Sequence, residues 1–350
     1  MLLCTLENFF GNHAAAAALT EMVEGQRIPQ TLLFSGPEGV GKATLARRFA
    51  ALLVGAASAA DAAKIERDDL SRESNLQIIA DREKWPADKR NEDPLFFASY
   101  PDVLTFAPEG PLRQISIQQM RLLKGRASLK PLKGSWRVFL IDGIDRANEA
   151  AANSVLKTLE EPPAHLVLIM TARNAYDLLP TIRSRAVPFA LSRLTEEEMR
   201  AFAAARQPDH AERRLRLAEG SPGIAISLDL ETYDRRRDAM LALLRAASGL
   251  EPFGAWLKHS DSLSARRTEK LDSYLDVLYV LLEDVLRLAN GVSPLRNEDA
   301  RTQLEPLAGR VSFDWIRAAV ARVDELADLV RRNIQKSIAL DAFAGALRNP

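Results

Sequence analysis

A single cysteine, Cys4, stands in 350 residues. One thiol excludes an internal disulfide and any multi-cysteine metal site, and with only four scattered histidines no ligand set is spaced for a structural zinc. Cys4 itself reads as a buried or incidental thiol. Neither sign of charge prevails. Lys+Arg and Asp+Glu each number 47, so no global field draws the chain to nucleic acid or to an anionic membrane, and any such contact has to come from a local patch. Long apolar runs are missing as well. The longest, near residues 50–60, is too short and too rich in alanine to span a bilayer. The opening residues 1–7 lack the basic and apolar regions of a signal peptide. A cytoplasmic protein without membrane association is the expectation. Hydrophobic residues at 47% and charged residues at 27% suit a globular chain long enough for two or three domains. There is no internal repeat and no low-complexity segment beyond alanine runs.

What is present centres on residues 31–44. Leu32, Leu33 and Phe34 read as a short buried strand, followed by a glycine-rich turn and a helix whose Leu45, Phe49, Leu52 and Leu53 fall on one face. Gly36, Gly39 and Gly41 allow backbone angles that bring consecutive N–H groups onto a phosphate, with Pro37, Glu38 and Val40 completing the turn. Lys42 adds a mobile cation at a helix N-terminus, where the backbone dipole already favours anions. This is a G-x-x-x-x-G-K nucleotide loop with one defect: the Ser or Thr that normally holds Mg²⁺ is Ala43. Thr44 comes one residue late, which turns its side chain about 100° away on a helix. A phosphate site without the usual Mg²⁺ site is expected; a glycine-rich turn that binds nothing is the alternative.

Before the loop, Phe9 to Asn12 and an alanine-rich helix from His13 to about Glu24 suit a segment covering a nucleotide base or plain core packing. Residues 55–93 turn to Ala, Asp, Glu, Lys and Arg with little periodicity, which reads as a partly helical surface insertion with solvated charges. A strand resumes at 101–106, then a helix from Ile115 to Lys124. Arg113, Arg121, Lys124, Arg126, Lys130 and Lys133 form the most basic region, a solvated face in preference to a phosphate contact. Trp136 to Asp142 is a near-continuous apolar run ending in an acid, as in a buried parallel strand with a carboxylate at its ligand-binding edge. Asp142 is placed there to meet a hydrated Mg²⁺, or simply to cap the next turn. The following position, where an ATPase of this kind carries a water-orienting Glu, is Gly143. A helix from Asn148 to Glu161 is stopped by Pro162-Pro163, and His165 to Thr171 is another buried strand with His165 at its edge. Alternation of strand and helix to about residue 190 predicts a parallel, doubly wound sheet. Beyond it, Thr195-Glu196-Glu197-Glu198 is a capping box, Gly220 to Gly223 a turn between helices, and Tyr233 to Pro350 helical throughout, with Arg235-Arg236-Arg237 on a helix surface.

The order of Gly36–Lys42, Val138–Asp142, Leu156-Lys157-Thr158-Leu159-Glu160-Glu161-Pro162-Pro163 and Arg183-Ser184-Arg185 resembles the clamp-loader subunits of the AAA+ class. Within that family it is nearer to the δ′ subunits of bacterial DNA polymerase III than to the γ/τ motors. The likeness is strong over about 27–190 and again at Gly220 to Gly223. It is weaker in the helical tail, where residues 333–340 resemble the last collar helix. Motor subunits need a Ser or Thr after the loop lysine, a Glu after the strand Asp, a polar sensor on the next strand and an Arg in the lid. The counterparts here are Ala43, Gly143, Arg173 and Gly223. Many δ′ relatives carry a four-cysteine zinc module between the loop helix and the next strand, and residues 55–100 contain no cysteine. The family's Ser-Arg-Cys becomes Ser184-Arg185-Ala186.

The resemblance implies an α/β AAA+ P-loop domain at 1–190 (parallel sheet flanked by helices, insertion about 55–100), a small helical lid at 191–245 and an all-α collar at 246–350. It implies a circular pentamer with γ/τ and δ subunits that places a sliding clamp on primer-template DNA. Arg185 would serve in trans as an arginine finger to a neighbour's ATP, unless Arg183 and Arg185 only pair with surface acids. ATP or ADP would bind weakly at residues 36–44 and Asp142 without hydrolysis, and no zinc or other metal would be held. The isolated chain would then not be catalytic, although it would belong to the DNA-directed DNA polymerase III holoenzyme. Two alternatives are an autonomous γ/τ-like ATPase and a nucleotide-binding interaction module outside replication.

Overall fold

The computed structural model describes residues 6–56, 58–265, 269, 271–330 and 335–348. Cys4 and, of the collar-like run, Asn333 and Ile334 lie outside them. The chain divides into two compact units: residues 1–209 with 220–227, and residues 210–219 with 228–350.

In chain order the first unit carries α1 (His13–Glu24), β1 (Thr31–Ser35), α2 (Lys42–Leu53), α3 (Ala59–Arg67), α4 (Glu73–Glu83), α5 (Ala87–Glu92), β2 (Phe96–Tyr100), β3 (Val103–Phe106), α6 (Ile117–Ala127), β4 (Arg137–Ile141), α7 (Glu149–Glu160), β5 (Leu166–Ala172), α8 (Pro180–Arg183), β6 (Val187–Ala190) and α9 (Glu196–Arg206). α10 (Ala211–Ala218) belongs to the second unit, and α11 (Pro222–Ser227) returns to the first. The strands form one sheet in the order β2-β3-β4-β5-β1-β6. Residues of β1, β4 and β5 alternate between two cores. Phe34, Leu140 and Ile169 pack with Leu19, Leu45 and Phe49 of α1 and α2. Leu33, Phe139 and Leu168 pack with Met120, Leu123, Val155 and Leu159 of α6 and α7. Both faces are therefore covered, which is why these strands read as unbroken apolar runs. Each such side chain contributes about 1.5–3 kcal/mol by leaving water, so these layers rather than surface ion pairs hold the sheet.

The expected parallel sheet flanked by helices forms, with one antiparallel strand added at its edge. β2 is antiparallel to β3, whereas β3–β4, β4–β5, β5–β1 and β1–β6 are parallel. Only Pro101 and Asp102 separate β2 from β3, and so short a connection cannot make the crossover that parallel pairing requires. The charges of the 55–93 insertion also differ from a plain solvated face. Arg47 of α2, 1% exposed, meets Glu66 at 3.2 Å and Asp69 at 2.5 Å. Buried Arg82 pairs with buried Glu109 at 2.9 Å, and buried Asp68 accepts the Ser99 N–H. α3, α4 and the turn between them are thus tied to α2, to β2 and to the segment after β3 by charge-assisted bonds with partners distant in sequence. In the basic region the cations face different partners: Arg113 meets Glu83, Arg126 lies over the Phe96 ring, and Lys133 is 3.8 Å from Asp61.

The second unit continues with α12 (Leu230–Ala247), α13 (Phe253–Ala265), α14 (Asp272–Ala289), α15 (Arg301–Arg310), α16 (Phe313–Val330) and α17 (Lys336–Arg348). Its core gathers Trp256, Tyr274, Leu281, Leu304 and Phe343. Arg235-Arg236-Arg237 is not a bare helix surface. Arg235 and Arg236 clasp Glu269, and buried Arg237 meets Asp299 at 2.7 Å and Asp234 at 3.1 Å. Among the described residues no helix is long and apolar enough to cross a membrane.

Candidate nucleotide site and arginine loop

The loop between β1 and α2 has the backbone that its glycines foretell. Gly39 and Gly41 lie at φ 75° and 98°, in the left-handed region, and Gly41 is the N-cap of α2. Neither could gain a side chain where it stands. A Cβ on Gly39 would come within 2.9 Å of the Ile224 backbone nitrogen, and one on Gly41 within 2.8 Å of the Phe9 ring. Gly36 is closer still, its Cβ position being 2.1 Å from the Leu191 carbonyl oxygen. Val40 is buried and anchors the loop to the core, while Pro37 and Glu38 are exposed. The Lys42 ammonium donates to the Gly36 and Pro37 carbonyls at 2.6 Å each, folding back across its own loop. Burial lowers its pKa, opposed by the charges of Asp142, Glu38 and Asp145 and assisted by that of Arg173. A left-handed glycine loop, a lysine over it and the start of a twelve-residue helix suit a phosphate group.

The metal side is less complete. Ala43 opens α2 with no hydroxyl, and Thr44 follows it a residue later. Asp142, just past β4, accepts a 2.6 Å hydrogen bond from Thr171, whose hydroxyl in turn accepts the Gly143 N–H at 2.8 Å. Burial raises the Asp142 pKa, against the hydrogen bond from Thr171 and the charges of Arg47 and Lys42. A carboxylate engaged in this way, with no hydroxyl at position 43 and no carboxylate at Gly143, is poorly suited to hold Mg²⁺ or to orient water. Among the described residues no group of three or more His, Cys, Asp or Glu is arranged to hold a metal ion. Sequence reasoning missed Thr171; the only signal was a polar residue near the end of an apolar strand.

Two further departures from a hydrolysing site have structural form. Arg173, directly after β5, forms an ion pair with Glu38 of the loop, and its backbone N–H lies 3.3 Å from Asp145. The Gly223 N–H donates to the Gly39 carbonyl at 2.8 Å, and a Cβ on Gly223 would lie 2.9 Å from that same oxygen. No arginine fits at position 223 unless the loop moves.

Arg185 stands apart from this cluster. It follows the single turn of α8, and its guanidinium donates to Glu160 at 2.7 Å and to the Thr181 carbonyl at 2.8 Å. Both side chains of the ion pair are substantially exposed, at 33% and 48%. Arg183 lies over the Tyr176 ring, 5.1 Å from its centre. The structure therefore brings together residues 36–44, Asp142 and Arg173, and gives Arg185 partners outside that group.

The family model described as "DNA polymerase III, delta subunit" matches residues 11–195, more than half of the chain. A protein of Escherichia coli (strain K12) named DNA polymerase III subunit delta' is 29% identical over 234 residues, which is 64% of this chain and 66% of that one. Its counterpart in Pseudomonas aeruginosa is 32% identical over 155 residues, 44% of this chain and 40% of the other. A DNA polymerase III subunit gamma/tau of Mycobacterium bovis is 29% identical over 195 residues, 55% of this chain and 30% of its own length. The chain spans less than two thirds of the length of each of these curated relatives.

Proposed function

Because the chain belongs to the DNA polymerase III delta-subunit family of clamp-loader proteins, we propose that it is the δ′-like, non-hydrolysing member of a clamp loader. Residues 1–190 serve as the nucleotide-binding domain, 191–245 as a helical lid and 246–350 as the collar that joins γ/τ and δ subunits in a circular pentamer. The assembly works in the cytoplasm, opening a sliding clamp and placing it on primed DNA. This chain contributes Arg185 to the ATP of an adjoining motor subunit.

One observation carries the reading: a well-formed glycine loop with its lysine stands beside Ala43, Gly143 and a Thr171-bound Asp142. Phosphate can be held there, whereas the groups that would bind Mg²⁺ and activate water are lacking. An autonomous γ/τ-like motor would need those groups. Arg185, at the rim of the sheet between α8 and the edge strand β6, then serves a neighbour's nucleotide, where a guanidinium neutralises charge on the transferring oxygens. The test is assembly. Mixing the full chain with γ/τ and δ subunits should yield one hetero-oligomer by light scattering, with ATPase stimulated by clamp and primed DNA. A chain that stays separate from both subunits refutes the proposal.

A further inference from the structure

The charge around the loop points to a way of holding nucleotide that dispenses with the metal. A diphosphate or triphosphate brings several negative charges, and a lone lysine offsets only part of them. In most P-loop sites Mg²⁺, held through the hydroxyl after the lysine, supplies the rest. Here that hydroxyl is absent at Ala43, and Asp142 is engaged by Thr171. A second cation is already in place. The Arg173 guanidinium reaches the loop itself through Glu38, and its charge is felt at the Lys42 ammonium. Arg173 and Glu38 are 57% and 66% exposed, so their ion pair is of the solvated kind that contributes about 0–1 kcal/mol and is readily exchanged. A phosphate offers the same guanidinium two parallel, charge-assisted hydrogen bonds.

We propose that the 36–44 loop binds nucleotide without magnesium, Arg173 leaving Glu38 to take over the charge that the metal neutralises elsewhere. The inference rests on the nucleotide-binding part of the proposed function. It makes Arg173 a ligand-binding residue and Glu38 its resting partner. The device suits a subunit that has no need of metal-assisted hydrolysis, because a guanidinium neutralises phosphate without activating water.

The experiment is a titration of the full chain with methylanthraniloyl-ATP, followed by fluorescence, in Mg²⁺ buffer and in excess EDTA. Affinities in the two buffers should agree within about threefold, and Arg173→Ala should weaken binding about tenfold or more in both. Arg183→Ala, which removes an equal charge from the ring of Tyr176, should change little. Three results would overturn the inference while leaving nucleotide binding in place: an affinity that collapses in EDTA, an Arg173→Ala variant that binds like the parent, or an Arg183→Ala variant that is weakened equally. Failure of the parent chain to bind in either buffer, with Lys42→Ala indistinguishable from it, would overturn the nucleotide-binding reading and this inference together. Circular dichroism melting of each variant confirms that the fold is retained.

Discussion

Lys42 and Arg185 belong to the same α/β unit, and the contrast between them separates holding from reaching. Lys42 sits at the start of a long helix, its ammonium bound to two carbonyls of its own loop and its pKa lowered by burial. Those bonds hold the cation folded back across its own loop. Arg185 follows a four-residue helix and holds one exposed carboxylate, Glu160, together with the Thr181 carbonyl. A solvated ion pair is weak enough to be exchanged for a better anion. Under the proposed function the loop retains a ligand and the Arg185 segment lets one cation go, the first facing the chain's own nucleotide and the second a neighbour's.

The variant with the largest expected effect is Arg185→Ala in the reconstituted assembly. Arginine fingers in other phosphoryl-transfer systems contribute about 10³–10⁵ in rate, and here only one site of the ring would lose its finger. Stimulated ATPase of the whole complex should therefore fall clearly but incompletely, with folding and assembly unchanged. Lys42→Ala in the same chain should matter much less. Wild-type turnover with Arg185→Ala would end the distinction between the two cations.

Next comes Asp142→Asn, which bears on the holding side. Burial raises the Asp142 pKa above the ordinary carboxylate range. The folded state therefore keeps its proton to higher pH than the unfolded state. The favourable contribution is full below the pKa of the unfolded carboxyl and is lost as pH rises through the higher folded pKa. The amide avoids that loss, so the variant should melt above the parent at pH 7. A gain of about 1 kcal/mol corresponds to about 2–4 °C in a domain of this size, and the gap should close toward pH 4. Thr171→Val, which strips the carboxylate of its donor, should lower the melting temperature at pH 7. If Asp142→Asn destabilises the chain at pH 7, the carboxylate is better satisfied than its burial indicates.

A smaller effect is expected from Ala43→Thr. The added hydroxyl restores one magnesium ligand, so nucleotide affinity should gain a modest dependence on Mg²⁺. Gly143 is unchanged, and without a water-orienting carboxylate, worth about 10²–10⁴ in rate, turnover should stay absent. Steady hydrolysis by this variant or by the parent, abolished by Lys42→Ala, would place the chain among motors.

How much of this was legible depended on the distance between partners. The capping box at Thr195 and Glu198 closes within four residues, and both of its bonds form as read, at 3.2 and 2.8 Å. The loop, α2 and the helix stopped at Pro162 are equally local. The edge strand β2 escaped because Phe96 to Tyr100 does not alternate cleanly, with two adjacent exposed residues in its middle. The ties of Arg82 to Glu109, 27 residues away, and of Arg237 to Asp299, 62 away, cannot be read from either end of a pair. In a sequence each arginine is simply a charge, and only the fold says which ones are buried. Glu38 and Arg173 were legible separately, as a loop residue and an altered sensor, but their pairing spans 135 positions.

Glu160→Gln should have the smallest effect and is the sharpest check on the arginine rim. Two accounts of the Arg185–Glu160 pair make opposite forecasts. If the pair exists to stabilise α7 against α8, losing either partner should cost the same small amount, within about 1 kcal/mol for exposed groups, and neither loss should touch ATPase. If Glu160 merely parks the guanidinium, the two variants must diverge. Glu160→Gln leaves the Thr181 carbonyl as a partner and the charge of Arg185 intact, so the finger remains available and is held less tightly. Thermal melting should then move by no more than a degree or two for both variants. Stimulated ATPase of the assembly should stay at or slightly above the parent value with Glu160→Gln and fall with Arg185→Ala. The double variant should match Arg185→Ala alone, since a parking carboxylate has no role once the arginine is gone. Equal ATPase in all four assemblies would return Arg185 to the ordinary fate of a surface arginine.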